Sequence, residues 1–292
     1  MRLFFALVIC LFSSLVTVVT ANELNGVADK GVIEFAVYEK YPPFSYRSDQ
    51  GKPVGIDIEI GKSIARELGV KAKFRLVPAD ESVDDDLRNY IWKGHFTAGG
   101  KSDVMLHVPY DERFIKQVDQ VKFLTPYYNE EVIFALDPNR TGNAVTLEIF
   151  AKEKIGVEIE TLADVYLLSA FGGLLRDNTV HFPSVNEASE ALINGEIAAI
   201  MATRTEIEAG LGEAKGKFKI GSMPTPGLTE KSWDLGIAVK EDRKDLATSL
   251  KLVMNKLLRS GEIKKIFSDH GVTHKEAGRT SSVESTASLL KK

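Results

Sequence analysis

Arg113 is the residue of this sequence whose type and setting most clearly suggest chemistry. It follows an apolar run at 104–106 and a turn-like Pro-Tyr-Asp, so it comes directly after a predicted strand. A guanidinium presents two parallel N–H donors that match the two oxygens of a carboxylate. The local pattern leaves two interpretations open: a solvated surface cation, or a group directed at an anionic ligand.

Motifs for metal or phosphate binding are weaker. His270 and His274 are four residues apart, but Gly271 ends the helix predicted between them and no third ligand lies nearby. Two stretches that contain GKS, at 55–63 and 94–102, have the wrong glycine spacing for a phosphate-binding loop. We therefore predict no metal site and no cofactor.

The overall composition excludes several partners and chemistries. The chain has 292 residues, of which 44% are hydrophobic and 27% charged, and its formal net charge is -4. These values predict a globular core and give no basic surface for nucleic acid. The only cysteine, Cys10, lies in an N-terminal apolar segment. Beyond that segment we expect no disulfide, no thiol nucleophile and no cysteine-based metal site.

The N-terminal segment is typical of an export signal. Arg2 precedes the apolar residues 3–19, and Ala21, with Val19 two positions before it, marks a plausible cleavage point. An uncleaved membrane anchor is the alternative, although about 17 residues is short for a spanning helix. We predict a cleaved signal peptide over 1–21 and a periplasmic protein.

Hydrophobic periodicity predicts two α/β units of similar organisation. Short apolar strands alternate with amphipathic helices, which favours parallel sheets. The strands are predicted at 33–38, 70–77, 154–159, 179–183 and 196–202. Two extended crossings, one starting at Glu130 and one at 233–240, connect the units.

Two units joined by two crossings imply two lobes with a cleft and a hinge between them. We predict lobe 1 over residues 31–132 plus 233–272, and lobe 2 over residues 133–232. The residues at 273–292 are rich in Ser, Thr and charge, so we predict a disordered tail there.

An ordered set of phrases resembles one family. The phrases are YPPFSY (41–46), VGIDIEIGKSIARELGV (54–70), KSDVMLHVPYDER (101–113), FLTPYY (123–128) and LINGEIAAI (192–200). The set falls within residues 31–272 and is similar to the extracellular solute-binding proteins of family 3, the polar amino acid transport type. The resemblance implies an α/β, two-lobed periplasmic-binding-protein fold of type II, with a sheet flanked by helices in each lobe. It also implies a protein that closes on a small polar ligand and delivers it to an inner-membrane ABC permease.

The resemblance implies a ligand site as well. In the family an aromatic residue after the first strand stacks on the ligand, and here it falls on Tyr41, with Phe44 behind it. An arginine after the third strand grips the ligand's carboxylate, and here it is Arg113. Trp92 is expected on the same wall.

The sequence departs from the family at two places. Where hydroxyl side chains usually precede the arginine, this chain has His107 between two apolar residues. Where an acidic residue usually holds the ligand's ammonium, it has Thr203, followed by Arg204, and Glu206 is expected to face elsewhere. An ammonium without a carboxylate partner would be poorly compensated in a desolvated cleft. We therefore expect a carboxylate-bearing ligand without an amine, held by both arginines.

A narrower resemblance offers a second function. The segment 86–96 looks like a branch of the family associated with quinoprotein dehydrogenases, including methanol oxidation, with Trp92, Lys93 and His95 as its mark. The partners would then be a periplasmic quinoprotein dehydrogenase and a c-type cytochrome. The alternative for Trp92 is a core tryptophan at the end of a helix.

An enzymatic function is a third alternative. Cyclohexadienyl dehydratases, which act on prephenate or arogenate, share the fold, and His107 or Glu112 could supply an acid or base. Nothing in the sequence favours these residues over binding residues. We expect no enzymatic activity.

Overall fold

The computed structural model describes residues 27–97, 99–143 and 146–278. Its strands are β1 (Val32–Tyr38), β2 (Tyr46–Arg47), β3 (Pro53–Val54), β4 (Lys71–Val77), β5 (Val104–Pro109), β6 (Val121–Leu136), β7 (Ile155–Glu158), β8 (Thr179–Phe182), β9 (Ala199–Thr203), β10 (Lys219–Gly221) and β11 (Ser232–Lys240). The strands predicted from hydrophobic periodicity are all present, with ends shifted by up to three residues.

The helices alternate with these strands, as expected for α/β units. They are α1 (Val27–Lys30), α2 (Ile56–Leu68), α3 (Val83–Leu87), α4 (Glu112–Ile115), α5 (Pro138–Thr141), α6 (Leu162–Ser169), α7 (Val185–Ile193), α8 (Arg204–Leu211), α9 (Lys244–Ser260) and α10 (Glu262–Asp269). A π-helical turn, Arg88–Trp92, continues α3. Among the described helices, none is long and apolar enough to cross a membrane.

The strand order shows how the two lobes are joined. The order is β4-β1-β5-β11-β6-β9-β7-β8, and β10 pairs with β6. Strand β1 is parallel to β4 and β5, and β7 is parallel to β8 and β9, so each end of the sheet is a parallel α/β unit. The antiparallel pair β6 and β11 lies between the two units and belongs to both. We call these two the crossing strands.

The first crossing strand is longer than its sequence pattern indicated. It was expected to start at Glu130, but β6 begins at Val121 and continues through Pro126. Proline cannot donate a ladder hydrogen bond, so it requires an irregularity in a paired strand. The register between the crossing strands shifts between Leu235 and Ile237, opposite this proline, and thereby accommodates it.

Each lobe has a separate hydrophobic core. In the first, side chains from β1, α2, β5 and α9 pack around Phe35, Phe44 and Phe267, which are fully buried. In the second, β6, β7 and β9 pack around Phe134 and Phe150. Separate cores joined by two strands fit the predicted lobes, whose residue boundaries remain a prediction.

The predicted disordered tail is wrong for its first six residues. Thr273 donates its backbone N–H to Glu208 at 2.6 Å, and Lys275 accepts from the backbone N–H of Asn129 at 3.0 Å. Gly278 donates to Asp234 at 2.7 Å. These residues bury little apolar surface and are held by backbone hydrogen bonds, which the composition does not reveal. The predicted signal peptide at 1–21 and the tail beyond 278 lie outside the described residues.

Candidate functional site

A cavity of about 640 Å³ lies where the strands of the first lobe end. Three aromatic residues, Tyr38, Tyr41 and Trp233, line it together with aliphatic residues and a few polar ones. The other lining residues are Glu39, Lys40, Pro78, Ala79, Val83, His107, Pro109 and Leu235. Carboxyl ends of parallel strands are the usual ligand position in open α/β sheets. The volume is in the range of small-molecule sites.

The loop after β1 carries two stacked aromatic rings into this region. The backbone groups of Tyr41 and Ser45 exchange hydrogen bonds of 2.8 and 2.9 Å, which folds the loop back on itself. The rings of Tyr41 and Phe44 then stack with centroids 5.4 Å apart and planes 18° apart. Tyr41 lines the cavity, whereas Phe44 is fully buried behind it against Phe267. Tyr41 thus lies at the cavity with Phe44 behind it, and the stacking of Tyr41 on a ligand remains a prediction.

His107 lies near the end of β5 and lines the cavity. Its side chain is 8% exposed and its backbone has φ 61°, a left-handed conformation that is uncommon for a residue other than glycine. The imidazole packs edge-on against the rings of Tyr41, at 4.9 Å, and Phe44, at 4.2 Å. A histidine therefore takes the place where the family resemblance led us to expect hydroxyl groups.

A buried polar cluster supports His107 from behind. Asp57, in the first turn of α2, is fully buried, and its Oδ1 accepts from the Tyr127 hydroxyl at 3.1 Å. The Tyr127 hydroxyl accepts in turn from the backbone N–H of His107 at 3.2 Å. Burial, together with the Asp57 charge, raises the pKa of Tyr127 well above its usual value, so the phenol stays protonated. The second carboxylate oxygen, Oδ2, lies 3.4 Å from Nδ1 of His107.

Arg113 is not part of this cavity. Its side chain is 77% exposed, on the short helix α4 outside the lining residues. It is 3.1 Å from Glu230 and 3.7 Å from Asp111. The expectation that Arg113 shares a wall with Tyr41 is therefore wrong for this structure, because helix α4 directs the guanidinium towards two exposed carboxylates.

The guanidinium of Arg204, the second arginine predicted to bind the ligand, also lies beside carboxylates of the protein. Arg204 has a side chain that is only 12% exposed, and its guanidinium is 2.8 Å from Glu131 and 3.3 Å from Glu208. The residue before it, Thr203, is the N-cap of α8 and accepts from the backbone N–H of Glu206. Both residues serve the structure of α8, and neither lines the cavity.

Trp92 also lies away from the cavity. It is partly buried at the end of the π-helical turn and packs on the cluster that contains Leu87, Met105 and Val108. The alternative of a core tryptophan is therefore the one that the structure supports.

The sequence analysis missed three residues of the site: Tyr38, Trp233 and Asp57. Two of them had a signal in the sequence, because Tyr38 ends the first predicted strand and Trp233 begins the second predicted crossing.

Carboxylates of the second lobe contribute to the electrostatics of Tyr41. Burial raises the pKa of the Tyr41 hydroxyl, and the negative charge of Glu206 adds to the effect. Burial, with Glu158 nearby, raises the pKa of Glu206 to about 7. Glu206 Oε2 accepts from the Thr203 hydroxyl at 2.6 Å, and the expected orientation of Glu206 remains a prediction. Within the described residues, no group of three or more His, Cys, Asp or Glu could hold a metal ion.

Known sequences and structures resemble this chain over most of its length. The family model described as bacterial extracellular solute-binding proteins, family 3, matches residues 33–90. An L-arginine-binding protein of Pseudomonas aeruginosa is 26% identical over 249 residues, which is 82% of this chain and 87% of that protein. These matches confirm the resemblance that the sequence phrases indicated.

A solved structure confirms the fold. An ancestral cationic amino acid solute binding protein superposes with a TM-score of 0.67 at 19% identity, covering 85% of this chain and 99% of that one. The chain thus has the two-lobed type II periplasmic-binding-protein fold. A cyclohexadienyl dehydratase of Pseudomonas aeruginosa is 34% identical, but over only 50 residues, 17% of this chain and 19% of that protein. None of these three proteins is named for a quinoprotein dehydrogenase.

Proposed function

We propose that this chain, which resembles the family 3 solute-binding proteins and has their fold, is an exported receptor for a small solute. It would close on the solute and deliver it to the permease of an ABC importer. The observation that carries the proposal is the cavity at the strand ends of the first lobe, next to the crossing strands. A ligand there would contact Tyr41 in the loop after β1 and Trp233 of crossing strand β11 at once.

Closure would follow from differential affinity. A ligand that makes more contacts in the closed form favours that form by the difference in binding free energy between the two. The crossing strands β6 and β11 are the two connections about which the lobes would move. The anchoring role expected of Arg113 and Arg204 is not part of this proposal, since both guanidiniums already lie beside carboxylates.

The proposal needs no second function beside it. The redox-accessory alternative depended on Trp92, Lys93 and His95, and of these Trp92 packs against a core cluster. The dehydratase alternative has a match over 50 residues. Neither observation favours these alternatives over solute binding.

The test is a thermal-shift screen of the purified protein against amino acids, including arginine, amine-free carboxylates, and small aromatic alcohols and amines. A ligand at a hundred times its dissociation constant adds about 2.7 kcal/mol to the free energy of unfolding. The variant Tyr41→Ala should lose the shift caused by any hit. The matched control is Tyr46→Ala, because Tyr46 lies in the next strand and does not line the cavity.

Two outcomes count against the proposal. A hit that stabilises Tyr41→Ala as much as the unaltered protein would mean that binding occurs elsewhere. A hit that leaves the solution scattering profile unchanged would mean that binding does not close the lobes.

A further inference from the structure

The polar groups that line the cavity are unequally available to a ligand. The Tyr38 hydroxyl donates to Asp86 at 2.7 Å, and Glu39 accepts from Arg47 at 3.2 Å. Lys40 is exposed, so a ligand carboxylate that met it would remain solvated and gain little. The imidazole of His107 also lines the cavity, and the rings of Tyr38, Tyr41 and Phe44 pack edge-on against it.

The position of Asp57 determines which nitrogen of His107 can serve a ligand. Nδ1 lies 3.4 Å from Asp57 Oδ2, and neither of these buried atoms makes a hydrogen bond in the part of the chain that the structure describes. A carboxylate accepts and does not donate, so a proton on Nδ1 is the arrangement that would let the two atoms form a hydrogen bond. Nε2 would then carry a lone pair that a ligand donor could use.

The backbone and the neighbouring cluster hold this arrangement in place. The left-handed φ of 61° at His107 is a cost that the surrounding structure must offset, and such outliers concentrate at ligand sites. Tyr127 fixes both partners, since its hydroxyl donates to Asp57 and accepts from the His107 backbone. Asp57 also lies in the first turn of α2, where the helix dipole stabilises a negative charge.

We propose that the cavity takes a compact ring-bearing alcohol whose single hydroxyl group donates to Nε2 of His107. Asp57 is the positioning residue that keeps the proton on Nδ1. The ring lies among Tyr38, Tyr41 and Trp233, which supply apolar surface. This inference rests on the proposed solute-binding function and names the class of solute.

The same geometry disfavours an α-amino acid as the ligand of this cavity. Its carboxylate could meet only the solvated Lys40 or lie unpaired among apolar groups, and burying such a group unpaired is costly. Arg113, which could have provided that partner, lies outside the lining residues and next to Glu230.

The first test needs no ligand. In protein labelled with ¹⁵N at histidine, the ring nitrogen shifts of neutral His107 distinguish the two tautomers, and the variant His107→Gln assigns its signals. We expect the proton on Nδ1. The variant Asp57→Asn should shift the population towards the Nε2–H form, whereas Tyr127→Phe, which keeps the carboxylate, should not. A wild-type protein with its proton on Nε2 would overturn the proposal whether or not the protein binds solutes.

The second test measures binding with three probes of similar size: benzyl alcohol, benzyl methyl ether and benzoate. We expect the alcohol to bind at least about tenfold more tightly than the ether and benzoate, as loss of one hydrogen bond implies. His107→Leu should abolish this preference, and His107→Gln, whose amide oxygen can accept, should retain part of it.

The outcomes separate this inference from the proposed function. Equal affinities for the alcohol and the ether, or no binding of the alcohol at millimolar concentration, would overturn the ligand class. Tight binding of arginine that closes the lobes would also overturn it, while leaving the solute-binding function intact.

Discussion

Arg113 and Glu230 form an ion pair, with Nη2 of the arginine 3.1 Å from Oε1 of the glutamate. Arg113 follows β5 in the first lobe, and Glu230 lies just before β11, at the end of the segment predicted for the second lobe. The two side chains are 77% and 60% exposed. The pair therefore joins the first turn of α4 to the segment before β11 at the surface, and the guanidinium is engaged with protein carboxylates outside the cavity.

Replacing Arg113 should have a small effect on stability and none on binding in the cavity. Exposed ion pairs contribute about 0–1 kcal/mol, and salt screens them. We expect Arg113→Ala to lower the free energy of unfolding by that amount at low salt and by less at 1 M salt. Urea denaturation at both salt concentrations measures this. Lys116→Ala, which removes another exposed pair, is the control. A tenfold loss of ligand affinity in Arg113→Ala would contradict the assignment.

The pH dependence of the free energy of unfolding should reveal the raised pKa of Glu130. Burial raises the pKa of Glu130 to about 8 from 4.5, so the folded protein keeps a proton that the unfolded chain loses above pH 4.5. Stability therefore falls as pH rises between about 4.5 and 8, by on the order of 1.4 kcal/mol per pH unit for one proton.

The variant Glu130→Gln removes this proton equilibrium. Its free energy of unfolding, relative to the unaltered protein, should increase by a few kcal/mol between pH 5 and pH 8. Denaturation at several pH values checks this, with the exposed Glu148→Gln as the control. A difference that does not change with pH would show that Glu130 is ionised in the folded protein throughout.

Arg204 should prove to be a structural residue. Replacing it with alanine leaves Glu208, which is buried, and Glu131 without their cation. Breaking a buried pair by removing one partner costs about 3–5 kcal/mol. We expect this loss in Arg204→Ala, and a partial recovery in the double variant with Glu208→Gln, which leaves no unpaired charge at that position.

A thermodynamic double-mutant cycle measures the coupling between these two residues. The exposed Arg259→Ala is the matched control for loss of an arginine. Additive effects of the two substitutions would contradict the ion pair as the source of the loss.

Residues 273–278 should stabilise the crossing strands. Besides the backbone contacts of Thr273 and Lys275, His274 donates from Nε2 to the Tyr127 carbonyl at 2.8 Å. A chain that ends at Val272 loses these hydrogen bonds, and we expect it to be less stable by about 2–4 kcal/mol than a chain that ends at Gly278. Thermal unfolding of the two chains makes the comparison.

Hydrogen exchange adds a local readout for the same truncation. The backbone N–H of Asn129 donates to Lys275, so its exchange should accelerate in the shorter chain. Unchanged protection of Asn129 would mean that the segment does not hold β6.

The architecture was open to prediction because it depends on local, periodic signals. Two α/β units follow from the alternation of strands and helices and from the two long apolar crossings, whatever the details of packing. Glycines that end helices, such as Gly69, mark the boundaries. The aromatic pair Tyr41 and Phe44 was singled out through the family resemblance of the loop after β1, and the structure shows the two rings stacked.

The rest of the site depends on contacts between distant parts of the chain. Asp57 and His107 are 50 positions apart, and only the packing of α2 against β5 brings Oδ2 to within 3.4 Å of Nδ1. Likewise, the sequence shows that Arg113 is charged, but it does not show that Glu230 is its ion-pair partner. The sequence by itself determined the fold and the residue types available for binding. The tertiary structure decided which charges are already neutralised by neighbours and which polar group faces the cavity, because long-range packing alone sets those distances.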